Sequence, residues 1–492
     1  MRFLCFSAIL LHAGLLPAER LAAQQTALPP SIARIIEQAP YDRAHWGLEV
    51  VDAATAAPLL RHNADRLFIP ASNMKLLVAA AAAHYLPPDF RYVTTLEAAG
   101  DVVDGVLHGD LVLRGTGDPT ISGRYEDDML SIWTALADSL RTLGIARIGG
   151  SVIADESHWD GDYIRPDWEV YDLLWWYAAP VGALGFNDNA IDFSVGPGTV
   201  GSRAAVSWRP ETSYFTFVNR TTTVPAGGEA TLDFTRVPGT DTIIAHGMIP
   251  ADAPRRTEYF AVADPARYAA TVFREVLEAS GIAVARDSVR VIRGASASRP
   301  DATGPAAPPR RVLVTHRSVP LPRLLAPVLQ TSQNWFAEQL LKTIAREAGG
   351  EGTWAKGLEL ERRFLIDVVA VDSTSFRLRD ASGLSAGNLL TPHVLVQILG
   401  YMQRTPRLAP ALDALPAAGG RTGSLRLRLQ DLGGRVRAKT GSINSVDSLS
   451  GFLTTATGRR VIFAIVVNNT AQPSARTRPV IDDIVRAIAA TY

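Results

Sequence analysis

At 492 residues the chain is long enough for two or three domains, and 47% hydrophobic with 20% charged residues is an ordinary globular composition. Lys+Arg and Asp+Glu both number 49, so the basic excess typical of a nucleic-acid binder is missing. Almost all the positive charge is arginine; lysine occurs only as Lys75, Lys342, Lys356 and Lys439. Arginine keeps its proton in proteins, whereas a buried lysine can release it, so each lysine is a candidate for chemistry.

The first element in chain order is a leader. Arg2 is a minimal positive region, an apolar run follows from Phe3 to Leu16, broken by Ser7 and His12, and Leu21-Ala22-Ala23 puts small residues before Gln24. The pattern predicts a signal peptide over 1–23 and a periplasmic or otherwise exported product. A membrane anchor is the competing reading, but the run is short of the roughly 20 residues a spanning helix needs. At most peripheral membrane contact is expected. Cys5, the single cysteine, lies in this segment, so the mature chain is expected to carry neither disulfides nor thiol chemistry.

Ser31–Gln38 reads as a short helix, and Trp46–Asp52 with Pro58–His62 as a hairpin. Pro70-Ala71-Ser72 then opens a Leu/Ala-rich helix over Met74–Tyr85. Between 91 and 312 the texture becomes mostly strand-like: Tyr92–Ala98, Gly105–Arg114, Ile148–Ala154, Ala190–Val195 and Ala230–Thr235, with helices at Asp128–Leu143 and Pro265–Ser280. Leu173–Phe186 is apolar but contains Pro180, Gly182 and Gly185, and reads as core. Ala295–Arg310 is a Pro/Ala/Ser/Arg-rich boundary loop. Helices follow near Leu321–Leu329, Asn334–Glu347 and Thr391–Arg404, then strands Val436–Ile443, Ser448–Ala456 and Val461–Asn468, then an amphipathic helix over Val480–Ala490. Strands at both chain ends with helices packed on them predict an α+β fold.

Three short motifs carry chemistry. Ser72-Asn73-Met74-Lys75 sets a hydroxyl and an amine at i and i+3, one helical turn apart on a shared face. Lys75 could take the Ser72 proton if burial lowers its pKa. Alone, a Ser-x-x-Lys is also a plausible accident. Lys439-Thr440-Gly441 lies on a predicted strand, where Gly441 lets a substrate backbone approach, and Lys439, Thr440 and Ser442 could bind a carboxylate. An edge-strand lysine that discourages aggregation would look the same. Ser332-Gln333-Asn334 opens a helix, and alone it reads equally as a cap.

In this order, the motifs resemble the Ser-x-x-Lys, Ser-x-Asn and Lys-Thr-Gly set of penicillin-binding serine peptidases and β-lactamases. The layout is most similar to the D-alanyl-D-alanine carboxypeptidase/endopeptidase family S13, the class C low-molecular-mass penicillin-binding proteins. The marker is the 256 residues between Lys75 and Ser332, where that family nests two extra domains. Gly115-Thr116-Gly117-Asp118-Pro119, Asp380–Ser385 and Asn444–Phe452 match further.

The resemblance implies an antiparallel transpeptidase-type sheet with flanking helices, split by a mostly-β insertion. Its domains would be 24–90 with 313–492 (catalytic), 91–185 with 256–312 (second), and 186–255 (nested third). It implies a D,D-peptidase acting on peptidoglycan peptides, with β-lactams as covalent inhibitors. Ser72 would be the nucleophile, Lys75 its base, Ser332 and Asn334 the relay and substrate-amide contact. Lys439, Thr440, Gly441 and Ser442 would form the carboxylate strand, with the Ser72 and Ser442 N–H groups as oxyanion hole. Asp155 and Trp159, joined by Tyr163, would line a pocket for a diaminopimelate-like side chain. Family members often carry arginine after the Ser-Gly-Leu-Ser run; here Ala386 stands there.

The nine histidines form no His-Glu-x-x-His pattern, and no Gly-x-Ser-x-Gly elbow is present, so no metal or cofactor is expected. His158 reads as a packing or surface residue. The competing functions are a serine β-lactamase, for which no Glu-based deacylation motif is found, and a non-catalytic cell-wall-binding protein, against which the intact motifs argue.

Overall fold

A computed structural model describes residues 26–294 and 309–492. The leader over 1–23, with Cys5, and most of the Ala295–Arg310 loop lie outside the described residues.

The chain ends meet in one antiparallel sheet. β1 (His45–Asp52) and β2 (Pro58–His62) form the expected hairpin. β3 (Val436–Ile443), β4 (Val446–Thr454) and β5 (Arg460–Asn468) come from the far end of the sequence, and the strand order is β3-β4-β5-β1-β2. β5 pairs with β1 along its whole length, from His45 opposite Asn468 to Asp52 opposite Val461. Its run Val461–Val467 is buried throughout, as befits a central strand covered on both faces. β4 begins at Val446 rather than the expected Ser448, because the turn is already closed by Ser445 in the left-handed region.

Helices cover both faces. On one side lies α1 (Met74–Tyr85), buried from Met74 through Ala83. A helix apolar on every side belongs inside a protein, and its five consecutive alanines let neighbours approach closely. It packs in one apolar cluster with Leu321–Gln330, α2 (Asn334–Gly349) and α3 (Pro392–Arg404). The other face carries Ile481, Ile484, Val485 and Ile488 of α4 (Ser474–Thr491).

Among the described residues, the intervening segments build four more sheets, one of them the short pair Phe376–Arg377 with Leu389–Leu390. Val93–Val103 and Val106–Arg114 form a hairpin, extended by Arg311–Arg317 on one side and Val152–Asp155 on the other. The expected strand Ile148–Ala154 is broken into Arg147–Ile148 and Val152–Asp155 at Gly149-Gly150. There the backbone runs against its neighbour: a Cβ on Gly150 would lie 2.4 Å from Asp110 Oδ1, and Asp110 instead accepts from the Ser151 N–H at 2.8 Å.

Two expected domain boundaries conflict with strand pairing. The 312/313 boundary cuts Arg311–Arg317, which pairs with Val93–Val103, outside the sheet of the chain ends. The 255/256 boundary separates Arg256–Ala261 from its partner Ala190–Gly196. Composition marked the nearby loops, but strand pairing decides which unit a segment joins.

Candidate active site

Ser72 sits in a single 3-10 turn, Ala71–Asn73, that runs straight into α1. Sheet and helix hold the turn from two sides. Ser448 Oγ on β4 donates to the Pro70 carbonyl at 2.8 Å. Gly441 on β3 abuts the turn so closely that a Cβ there would lie 2.9 Å from the Ser72 nitrogen. Gly383, at φ +79°, leaves still less room, since a Cβ would lie 1.9 Å from the Ala71 carbonyl oxygen.

Lys75 is fully buried one turn along, with Nζ 2.8 Å from Ser72 Oγ. Two more acceptors surround the amine: Asn334 Oδ1 at 2.6 Å and the Ser382 carbonyl at 2.6 Å. The Asn334 amide is oriented by its own Nδ2, which donates to the Tyr177 carbonyl at 2.7 Å. Desolvation lowers the Lys75 pKa to about 7, and the negative charges of Asp380 and Glu338 oppose the shift. A neutral amine has two hydrogens and one lone pair. With the hydrogens on Asn334 and Ser382, the lone pair is left for the Ser72 hydroxyl.

Lys439 is also fully buried. Its Nζ donates to Ser332 Oγ at 2.8 Å and to the Thr440 carbonyl at 2.7 Å. Burial, with the Lys75 charge nearby, pushes its pKa well down. This is neither the solvated edge lysine nor a cation open to a carboxylate: its direct partner is Ser332. Thr440 and Ser442 are half-buried. Thr440 Oγ1 donates to Ser424 Oγ at 2.7 Å, and Ser442 Oγ bonds to Asp447 Oδ1 and accepts from Arg478 at 3.1 Å.

The Ser382 carbonyl is set by a buried carboxylate network. Glu338, one turn after Asn334 on α2, accepts from the N–H groups of Ala381 (3.0 Å) and Ser382 (2.7 Å) and from Trp354 Nε1 (2.8 Å). Asp380 accepts from Gly383 and Ser385 N–H groups, from Asn388 and from Trp168 Nε1, all between 2.7 and 3.0 Å. Sequence reasoning gave Glu338 no role, although Asn334, Glu338 and Lys342 recur at i, i+4 and i+8. That is one polar stripe along a helix, flanked by Trp335, Phe336, Leu341 and Ile344 and joined by Gln339 and Thr343.

A cleft of about 630 Å³ opens on Ser72, Asn334, Gly383 and Ser442. Its opposite wall comes from the insertion and carries the carboxylates of Asp167, Glu169 and Asp172 beside Tyr177. Ala386 lines the same cleft and brings no charge to it.

The residues expected to line the side pocket do not face this cleft. Asp155 is 4% exposed and paired with Arg310. Trp159 is 1% exposed, packed against Gly117 and Gly352. Neither lines the cleft. Tyr163 is bonded to Glu156 and accepts from Arg293 at 2.8 Å, in a separate buried network. The residues facing the cleft lie further along, from Asp167 to Tyr177. Acids and aromatics recur through the whole stretch from 155 to 177, so residue type alone could not tell the two groups apart. His158 packs with its pKa pushed down to about 4 by burial.

Comparisons with known proteins converge on one family. The D-alanyl-D-alanine carboxypeptidase of Actinomadura sp. (strain R39) is 34% identical over 469 residues, covering 93% of this chain and 84% of that protein. The D-alanyl-D-alanine carboxypeptidase DacB of Haemophilus influenzae is 26% identical over 427 residues, covering 83% and 82%. The crystal structure of penicillin binding protein 4 from Haemophilus influenzae superposes with a TM-score of 0.79 at 22% identity, covering 93% of this chain and 98% of that one, which establishes a shared fold. The family model for D-Ala-D-Ala carboxypeptidase 3 (S13) matches residues 28–490, through both halves of the split sheet and all that lies between, and the chain therefore belongs to that family.

Proposed function

We propose that this S13 family member is a serine D,D-peptidase that cleaves D-Ala–X bonds of peptidoglycan stem peptides and cross-links through a Ser72 acyl-enzyme. The observation that carries the reading is the buried Lys75 amine, 2.8 Å from Ser72 Oγ with both its hydrogens engaged elsewhere. Ser72 Oγ attacks the D-alanyl carbonyl carbon as its proton passes to Lys75 Nζ. The N–H groups of Ser72 and Ser442 stabilise the oxyanion. Collapse breaks the C–N bond, and the leaving amine takes a proton through Ser332, with Asn334 holding the substrate amide. Water then hydrolyses the ester to a D-alanyl carboxylate and restores Ser72.

The substrate's terminal carboxylate meets the hydroxyls of Thr440 and Ser442 beside Gly441. Lys439 assists from behind Ser332, where an arriving negative charge favours its protonated form. Asp155 and Trp159 take no part in binding. The chain acts after export; among the described residues no helix is long and apolar enough to cross a membrane. Its catalytic unit joins 24–90 to a second segment that starts after Arg317, the end of the strand on Val93–Val103.

Intact-mass analysis after incubation with benzylpenicillin tests the reading. One stable adduct on the peptide containing Ser72, lost in Ser72→Ala, is expected. Rapid hydrolysis of the drug would mark a β-lactamase, and no adduct a binding protein without catalysis.

A further inference from the structure

A second cavity, of about 450 Å³, lies behind one wall of the catalytic cleft. Consecutive residues are shared out between the two. Tyr177 and Asn334 line the catalytic cleft, while Trp176 and Gln333 line the other. The Asn334 Nδ2 to Tyr177 carbonyl bond of 2.7 Å joins these segments, so it forms part of the partition.

The second cavity is polar, mixed in charge and flanked by aromatic rings. Arg124 and Arg209 supply donors, and Asp127, Asp188 and Asp192 supply acceptors. Trp176 and Tyr259 are the aromatic residues of its lining. Two buried oxygen atoms on its lining lack a hydrogen-bond partner among the described residues. Gln333 is 3% exposed and its Oε1 makes no hydrogen bond. Asp188 accepts from Arg124 through Oδ2 at 2.6 Å, while its Oδ1 is buried and unbonded. Buried acceptors without donors are costly unless a ligand or water supplies them. Asp188 is also held in the left-handed region together with Asn187 and Asn189, which turns this segment sharply into the strand carrying Asp192.

Sugars match this chemistry. A pyranose has an apolar C–H face that stacks on an aromatic ring, and a rim of hydroxyl and N-acetyl groups that both donate and accept. Two arginines against three aspartates give no net positive charge, which disfavours an anionic ligand.

We infer that this second cavity binds the N-acetylated amino-sugar backbone of the substrate, next to the stem peptide held in the catalytic cleft. The inference rests on the peptidase reading above for the identity of the glycan, and its test includes a readout that needs no catalysis.

The experiment uses the full chain and two substitutions at exposed positions: Tyr259→Ala, where the side chain is 43% exposed, and Arg209→Ala, where it is 65% exposed. The probe is the peptide-free GlcNAc–MurNAc disaccharide with its lactyl carboxyl converted to the methylamide, followed by saturation-transfer NMR. Turnover is compared between bare pentapeptide and disaccharide-pentapeptide. Wild type binds the disaccharide, and kcat/KM favours the disaccharide-pentapeptide about tenfold. Both substitutions abolish binding and the advantage, and leave bare-pentapeptide turnover within about twofold. Absence of disaccharide binding, or an advantage that survives both substitutions, overturns the inference. So does a loss confined to glycan-free cross-linked peptides, which would make the occupant a second stem. Tyr259-dependent disaccharide binding without peptide turnover would support the cavity and defeat the peptidase reading.

Discussion

Lys75 lies in a dry environment, with its amine between two fixed acceptors, Asn334 Oδ1 and the Ser382 carbonyl. Burial is the dominant cause of its lowered pKa of about 7, against the pull of Asp380 and Glu338. The acylating form is the neutral amine, whose population grows as pH rises through about 7. Second-order acylation by benzylpenicillin is therefore expected to fall about tenfold per pH unit below that point and to level off above it. Lys75→Arg keeps the charge but cannot accept the proton, and should lower acylation by about 10²- to 10⁴-fold with an unchanged circular dichroism spectrum. Stopped-flow acylation across pH 5 to 9 measures both, and a flat profile in wild type would remove Lys75 from the proton path. The Ser72–Lys75 pair was legible because i and i+3 on a helix is a local relation. Asn334 was legible as a motif residue, but its bond to Lys75 was not, nor was that of Ser382, since they lie 259 and 307 positions away.

At the scale of elements, the reactive turn depends on how closely backbones approach. α1 has the bounds its sequence predicts, because Pro70 and the Leu/Ala run are local signals. The loop Asp380–Asn388 is different: it is pinned by Glu338 and Asp380 and closes over the turn at Gly383. Gly383→Ala would force a side chain into the left-handed region, at about 1–2 kcal/mol, and push its Cβ against the Ala71 carbonyl. The expected result is a lower Tm together with slower acylation at Ser72, because the same displacement moves the nucleophile. A Tm loss with acylation intact would show that the loop yields and the turn does not. The Gly149-Gly150 break has the same origin, and periodicity could not register it because the interrupting contact comes from Asp110 on another strand.

At the scale of the molecule, the insertion is tied to the catalytic helices by buried polar contacts as well as by apolar packing. Lys342 on α2 is fully buried, with Nζ 2.5 Å from Asp160 Oδ1 and 2.6 Å from the Asp162 carbonyl, and it lies 4.0 Å from the Trp354 ring centre. Removing one partner of such a pair leaves an uncompensated buried charge. Lys342→Met should cost about 3–5 kcal/mol. Adding Asp160→Asn should recover part of that loss, since the stranded charge is then gone. Urea titration of the single and double variants measures it, and additive losses would mean that the pair is not coupled. Of the four lysines singled out by composition, Lys75, Lys342 and Lys439 are fully buried, while Lys356 pairs with Glu359 near the surface.

The sequence by itself determined the three motifs, the helix and strand bounds around them, and the split of one sheet between the chain ends. The motifs and bounds follow from short-range relations, namely hydrophobic period, capping and residues one turn apart, while the split sheet is what the resemblance to the family implies. Only the tertiary structure decided which carboxylates face the cleft, that Asp167 and Asp172 line it while Asp155 is paired with Arg310, and that Lys439 serves Ser332 from beneath. An aspartate in a loop has the same local signature whether it meets an arginine or open solvent. Which it meets depends on segments more than a hundred residues away, and these come together only when the apolar faces of sheet, helices and insertion are buried against one another.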